Sequence, residues 1–191
     1  MKNFLKNNKG EYGYISRQRI KEILKTLIMF LLSVAIYFIG YKTTGSNKNL
    51  LTVIAILGCL PASKSAVNMI MFLRAKGCSE QLYHKITAKS EGLPQLFDNV
   101  LTSYKHTFEI SHFAYRGNNL IGITENPKCN IAEAEKHIET MCIQDGIKDI
   151  TIKIFTDSSK YLNRLEQLCE LEAESGHKTE AVLALMKVLS I

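Results

Sequence analysis

At 191 residues the chain has room for one independent core and little more. A formal charge of +6 would suit a nucleic-acid partner, but residues 1–76 hold 12 basic and 2 acidic side chains and residues 77–191 hold 12 and 16. The excess lies beside apolar runs, where it fits anionic headgroups. The acidic remainder would repel a phosphate backbone, so nucleic acid is not an expected partner.

Residues 1–25 form a basic flank with seven cations, Lys2, Lys6, Lys9, Arg17, Arg19, Lys21 and Lys25. An uncharged stretch from Thr26 to Tyr41 follows, closed by Lys42. Lys25 to Lys42 spans about 25 Å of helix, short for a hydrocarbon core of roughly 30 Å. Lysine stems can make up the difference by reaching outward, and Tyr37 and Tyr41 stand where interfacial aromatics are expected.

A second apolar run, Leu50 to Ser63, lies between Lys48 and Lys64. It has two readings. Extended to Leu73, it buries Lys64 beside Pro61, and an intramembrane lysine is by default a functional group. Ended at Lys64, it matches the first run in length, and Ser65 to Lys76 continues as an interfacial helix stopped by Gly77. The second reading needs no buried charge and is preferred. Lys25, Lys42, Lys48 and Lys64 are then the membrane-boundary residues. The link Thr43–Asn49, turning at Gly45-Ser46-Asn47, forces antiparallel neighbours.

Residues 26–76 therefore read as a transmembrane helical hairpin. Only Lys42 and Lys48 lie in its link, against seven cations before it and Lys64, Arg74 and Lys76 after it, which puts both termini in the cytoplasm. A signal peptide shares the opening pattern, but the flank is long, no clear small-residue cleavage site follows Tyr41, and a second run comes at once. A soluble buried pair would not need 16 successive uncharged residues.

Residues 77–191 read as a cytoplasmic α+β domain, a small, mainly antiparallel sheet with helices packed on it. Ser79 caps a short helix from Glu80 to Lys89. The alternation of His106, Phe108, Ile110 and His112 marks a strand, Gly117-Asn118-Asn119 a turn, and Leu120 to Thr124 the returning strand; an earlier strand near Val100–Tyr104 is weak. Asn130 and Glu133 have capping-box spacing, with Ile131, Ala134, Ile138, Met141 and Cys142 on one helical face and Gly146 at its end. Asp149 to Phe155 is a strand. Asp157 or Ser158 caps a helix burying Tyr161, Leu162, Leu165, Leu168 and Cys169, and the last helix, Thr179 to Leu189, is apolar nearly all round.

No catalytic signature emerges. Gly117 and Gly122 have phosphate-loop spacing, but Ile123 stands where the lysine belongs. His106 and His112 on one strand would be about 20 Å apart, too far to share an ion. Cys59, Cys78, Cys129, Cys142 and Cys169 are scattered, and Cys129, before a helix N-terminus, is the one thiol with a reason to be acidic. No cofactor or metal is expected. The leading expectation is a membrane-anchored binding, scaffold or regulatory module with a protein partner, able to oligomerise through its spans. Acidic Glu166, Glu170, Glu172 and Glu174 form either a partner's patch or a solvated face. The rival is an unfamiliar membrane-tethered hydrolase or nuclease-like enzyme, in which Asp98, Glu109, Glu125 and Lys153 converge on a divalent cation.

Overall fold

The computed structural model describes residues 9–46, 48–104, 106–171 and 176–191. Lys2, Lys6, Asn47, Glu172 and Glu174 lie outside the described residues. Two long apolar helices are followed by a mixed four-stranded sheet with helices, and the chain divides into two compact units.

The unit spanning Ile15–Ala75 is a pair of helices, α1 (Tyr14–Thr44) and α2 (Leu50–Arg74), each long and apolar enough to cross a membrane. Asn49 caps α2, its side chain accepting from the Thr52 amide. Helix α2 runs unbroken through Pro61 and Lys64 and ends at Arg74, before Gly77.

The pair is antiparallel, with a constant register. Arg19 donates to the carbonyl oxygens of Phe72 (3.1 Å) and Ala75 (2.8 Å). The Thr26 and Ser65 hydroxyls meet at 2.9 Å. A Cβ added at Gly58 would lie 2.9 Å from the Ser33 Oγ, and one at Gly40 would lie 2.7 Å from the Leu51 Cβ. Positions 19, 26, 33 and 40 thus face 72, 65, 58 and 51, seven residues per step on each helix, the spacing of a coiled-coil seam. The seam is small and polar: Thr26, Ser33, Ala55, Ala62 and Ser65 are buried. The outside is bulky and apolar, with Leu27, Ile28, Leu31, Leu32, Phe38, Ile54, Ile56, Leu57 and Leu60 exposed.

The other unit, residues up to Tyr14 and from Lys76 onward, is an α/β/α sandwich. Its elements are α3 (Glu80–Thr87), β1 (Gln95–Thr102), β2 (Thr107–Arg116), β3 (Asn119–Ile123), α4 (Ile131–Gln144), β4 (Thr151–Phe155), α5 (Ser158–Glu170) and α6 (Gly176–Leu189). Strand β1 is therefore longer, and starts earlier, than its weak sequence signal. The sheet order is β1-β2-β3-β4. The first two ladders are antiparallel and the third parallel, because α4 crosses between β3 and β4. Gly117 and Asn118, both at positive φ, make the type I′ turn that joins β2 to β3, which accounts for the phosphate-loop spacing.

The sheet has a core on each face. On one, Phe108, Ile110, Phe113, Tyr115, Leu120 and Ile154 pack with Ala134, Ile138 and Cys142 of α4 and Val182 and Met186 of α6. On the other, Phe97, Ala114, Ile121 and Ile123 pack with Leu82 and Ile86 of α3 and Tyr161, Leu165 and Leu168 of α5. Helix α6 is thus mainly a core helix, with Val188 left out at 77 % exposure. The period-two reading of β2 holds through Ile110 and then breaks. His112 packs on Phe97 and Tyr161, the face opposite to Phe108 and Ile110. Ser111 lies across from Asp98 of β1, whose φ of 55° takes that strand out of regular extension at the same level.

Both sheet edges carry hydrogen bonds to other parts of the unit. On β1, the Phe97 amide donates to the Gly10 carbonyl (2.8 Å), the Val100 amide to the Ser190 hydroxyl (3.0 Å), and the Ile191 amide to the Val100 carbonyl (3.1 Å). On β4, the Ile154 amide donates to Glu135 (2.8 Å), which also approaches Lys153. Such blocking removes a template for strand addition. Residues 9–14, assigned above to the basic flank, thus form a strap on the α+β unit, and Tyr12 stacks on Tyr83 at 3.9 Å.

Candidate functional site

Three of the four carboxylate-site candidates meet around one segment, Lys76–Ser79. Asp98, at positive φ in β1, accepts from the Cys78 amide (2.7 Å). Glu109 of β2 accepts from the Lys76 amide (3.2 Å) with one oxygen and from Asn126 (2.9 Å) with the other. Glu125, just past β3, accepts from the Ser79 amide (2.9 Å), the Ser79 hydroxyl (2.6 Å) and Ser111 (3.2 Å). Ser79 meanwhile caps α3 by accepting from Leu82. Gly77 is required here, since a Cβ would sit 2.9 Å from the Asp98 carboxylate.

Charge-assisted bonds of this kind are about twice as strong as neutral ones. Three strands therefore clamp the first residues that follow α2 in the chain. Lys153 stands apart, with its ammonium 3.5 Å from Glu135 of α4. Among the described residues no three His, Cys, Asp or Glu side chains are placed to hold a metal ion. The Cys78 thiol at the clamp is pushed up to about 12, first by burial and then by Glu125 and Asp98, so it is no thiolate at neutral pH. Burial also raises Cys129 despite hydrogen bonds that work the other way, which removes the reason to treat it as an activated nucleophile.

The histidines separate. His112 is buried with its Nε2 2.9 Å from the Gln95 oxygen and its Nδ1 2.6 Å from the Tyr161 hydroxyl. With the amide oxygen as acceptor, Nε2 carries the proton and Nδ1 accepts from tyrosine. Burial holds this imidazole near a pKa of about 3, hence neutral, and drives Tyr161 well above the usual phenol range. His106 approaches Glu133 of α4 at 3.3 Å on the other face. There, Tyr104, Phe108, Lys136, His137 and Met141 complete an open cleft of about 470 Å³, and the His137 Nε2 is buried without a hydrogen-bond partner. Sequence spacing gave no sign of this cleft, because β2 and α4 bring its two sides together from 25 or more residues apart.

Lys25, Lys42, Lys48 and Lys64 form two levels. The hairpin register sets Lys25 opposite Ala66 and Lys64 opposite Leu27, within two residues of each other. Lys42 faces Asn49 and Lys48 faces Thr43, again at one level. The levels are about 25 Å apart, with the Ser33–Gly58 contact near their midpoint. The heptad Arg19, Thr26, Ser33, Gly40 is the sequence signal for this seam. Glu166 is engaged by Lys89 at 2.8 Å, a surface pair.

No family model, no curated protein and no solved structure matches this chain.

Proposed function

We propose that the chain is an integral membrane protein anchored by the α1–α2 hairpin, with both termini cytoplasmic, whose α+β unit acts by binding as a scaffold, adaptor or regulatory module. The observation that carries the anchor is the inverted hairpin. Small and hydroxyl side chains fill much of its seam, while leucine, isoleucine and valine face outward along both helices. In water that surface far exceeds the apolar patch of a soluble protein; in lipid it is ordinary, and small residues are what let helices approach.

The register also favours ending the span at Lys64. Were the stretch from Lys64 to Leu73 in hydrocarbon, the facing residues 18–27 would follow, carrying Arg19, Lys21, Glu22 and Lys25 with them. Four charges at depth cost far more than lysines snorkelling at an edge. A core of roughly 30 Å centred on Ser33 and Gly58 leaves all four boundary lysines within about 6 Å of its edges.

Binding is favoured over catalysis because Asp98, Glu109 and Glu125 spend their oxygens on the 76–79 backbone. A nuclease-like site would need those groups released and Lys153 drawn from Glu135. With the β1 edge bonded to Gly10, Ser190 and Ile191, and one β4 amide taken by Glu135, we favour docking on side chains, with the Tyr104–Phe108–His137 cleft as the place offered.

Cysteine labelling in intact and permeabilised cells tests the topology, with single cysteines at Cys169 and at Ser46→Cys in a background otherwise free of them. Ser46→Cys should label from outside and Cys169 only after permeabilisation. Labelling of Cys169 in intact cells would sink the cytoplasmic assignment. For the binding role, a photo-crosslinker at Tyr104 should capture a defined protein adduct that Lys136→Glu, a change at an exposed residue lining the same cleft, abolishes. Adducts to lipid alone, at every salt concentration, would count against it.

A further inference from the structure

We propose that the Lys25/Lys64 end of the hairpin is a binding surface for anionic phospholipid headgroups, with Lys21, Lys64 and Arg74 as its uncompensated cations. This rests on the membrane reading and names the lipid that reading leaves open. The antiparallel register gathers Arg17, Arg19, Lys21 and Lys25 of α1 with Lys64 and Arg74 of α2 at one end, against a single acid, Glu22. The other end holds only Lys42 and Lys48. Glu22 is taken up by Lys25 at 3.6 Å, and Arg19 is turned inward onto the carbonyl oxygens of Phe72 and Ala75. Among the described residues Lys21, Lys64 and Arg74 have no carboxylate partner; Lys64 and Arg74 are exposed and Lys21 half-exposed.

Their levels matter as much as their charge. Lys64 lies deepest, facing Leu27; Lys21 faces Ile70; Arg74 faces Arg17. The ladder covers about 15 Å of helix, from about 6 Å inside the hydrocarbon edge, at Lys64, to about 9 Å outside it, at Arg74, and so crosses the headgroup layer. Exposed Ile20, Ile23, Leu24, Val67, Ile70 and Met71 lie between these rungs, so apolar contact and cation alternate at the depth where acyl chains meet phosphates. A cation whose stem starts inside hydrocarbon must carry its head outward to a phosphate. A headgroup with net negative charge offers that phosphate without a competing choline. Free phosphate would lack the acyl chain that fills the apolar positions, so the lipid is the ligand.

The test uses the full chain reconstituted in vesicles of phosphatidylcholine with an equal amount of phosphatidylglycerol, and spin-labelled versions of each lipid in turn. The motionally restricted fraction should favour phosphatidylglycerol by about threefold or more, and added salt should weaken that preference. The K21Q/K64Q/R74Q variant should bring the ratio close to one, and K42Q/K48Q should leave it unchanged. Equal restriction of both lipids by the wild-type protein, or an unaltered ratio in the triple variant, overturns the proposal. A chain that fails to float with the vesicles, or restricts no lipid at all, overturns the membrane reading instead.

Discussion

The two units bury opposite kinds of side chain. In the sandwich, Phe108, Phe113, Leu120, Ile138 and Leu165 are inside, and Lys89, Glu166 and Lys153 are outside. In the hairpin, Thr26, Ser33 and Ser65 are inside, and Leu31 and Leu32, at 59 and 62 % exposure, are outside. The same residues thus take opposite places a few dozen positions apart. Water makes apolar burial the dominant gain in the first case. On the proposed membrane reading, hydrocarbon already surrounds each helix, so there is nothing to gain by hiding leucine, and close backbone approach decides instead.

The largest test of that contrast is a matched pair of truncations. Phe108→Ala should lower the stability of the sandwich by about 3–5 kcal/mol, as expected for a filled core site. Leu31→Ala should change it by no more than about 0.5 kcal/mol. Urea unfolding of the full chain in detergent micelles measures both. Equal effects would mean that Leu31 lies in a water-excluded protein core and that the two units do not differ in solvent.

Next comes the buried imidazole. His112 has a folded pKa of about 3 against 6.5 unperturbed, so between those values the unfolded chain binds the extra proton. Stability then rises with pH and is lost as pH falls through 6.5. At 1.36 kcal/mol per unit the loss is about 3 kcal/mol by pH 4. His112→Gln should flatten that part of the stability profile relative to wild type. If the two profiles run parallel, the imidazole is not the titrating group.

Much of this was legible in the sequence, and the failures are instructive. The capped helices starting at Ile131 and Ser158 were readable because Asn130 and Asp157 act within one turn of the residues they serve. So was the strand around Ile152, whose alternation matches its one buried face. The alternation of β2 misleads, since a central strand covered on both faces is apolar at successive positions, and the positive φ of Asp98 at the level of the break lies on another strand. Asp98, Glu109 and Glu125 do meet around one segment, but spacing could not say that a backbone segment would occupy them. The strap was hidden for the same reason: Gly10 meets Phe97 from 87 positions away.

The hairpin itself can be broken at its narrowest point. Gly58→Leu puts a side chain where a single Cβ would already be 2.9 Å from the Ser33 hydroxyl. Overpacking of this kind costs about 1–3 kcal/mol. In a background lacking other cysteines, Thr26→Cys with Ser65→Cys should form a disulfide on mild oxidation, since the native hydroxyls are 2.9 Å apart. Gly58→Leu should sharply reduce its yield, whereas Leu57→Ala, on the exposed side of the same helix, should not. An undiminished yield would mean that the helices meet along some other stripe.

The smallest effect expected is at the turn. Asn49 accepts from the Thr52 amide at 2.7 Å and donates to the Ser46 carbonyl at 2.7 Å and the Thr44 hydroxyl at 2.8 Å. One side chain therefore caps α2 and ties the link back onto α1. Asn49→Ala should cost about 1 kcal/mol, the usual value of such a cap, and speed hydrogen exchange in the first turn of α2 while leaving the amides of the Ser33–Gly58 region protected. Asn49→Asp keeps the acceptor and loses both donors. Protection restored by Asp would assign the effect to the cap, and protection lost as in Ala would assign it to the two ties across the link. Faster exchange spreading to the middle of both helices would show instead that the turn holds the seam together, with Thr26, Ser33 and Ser65 too weak to do so alone.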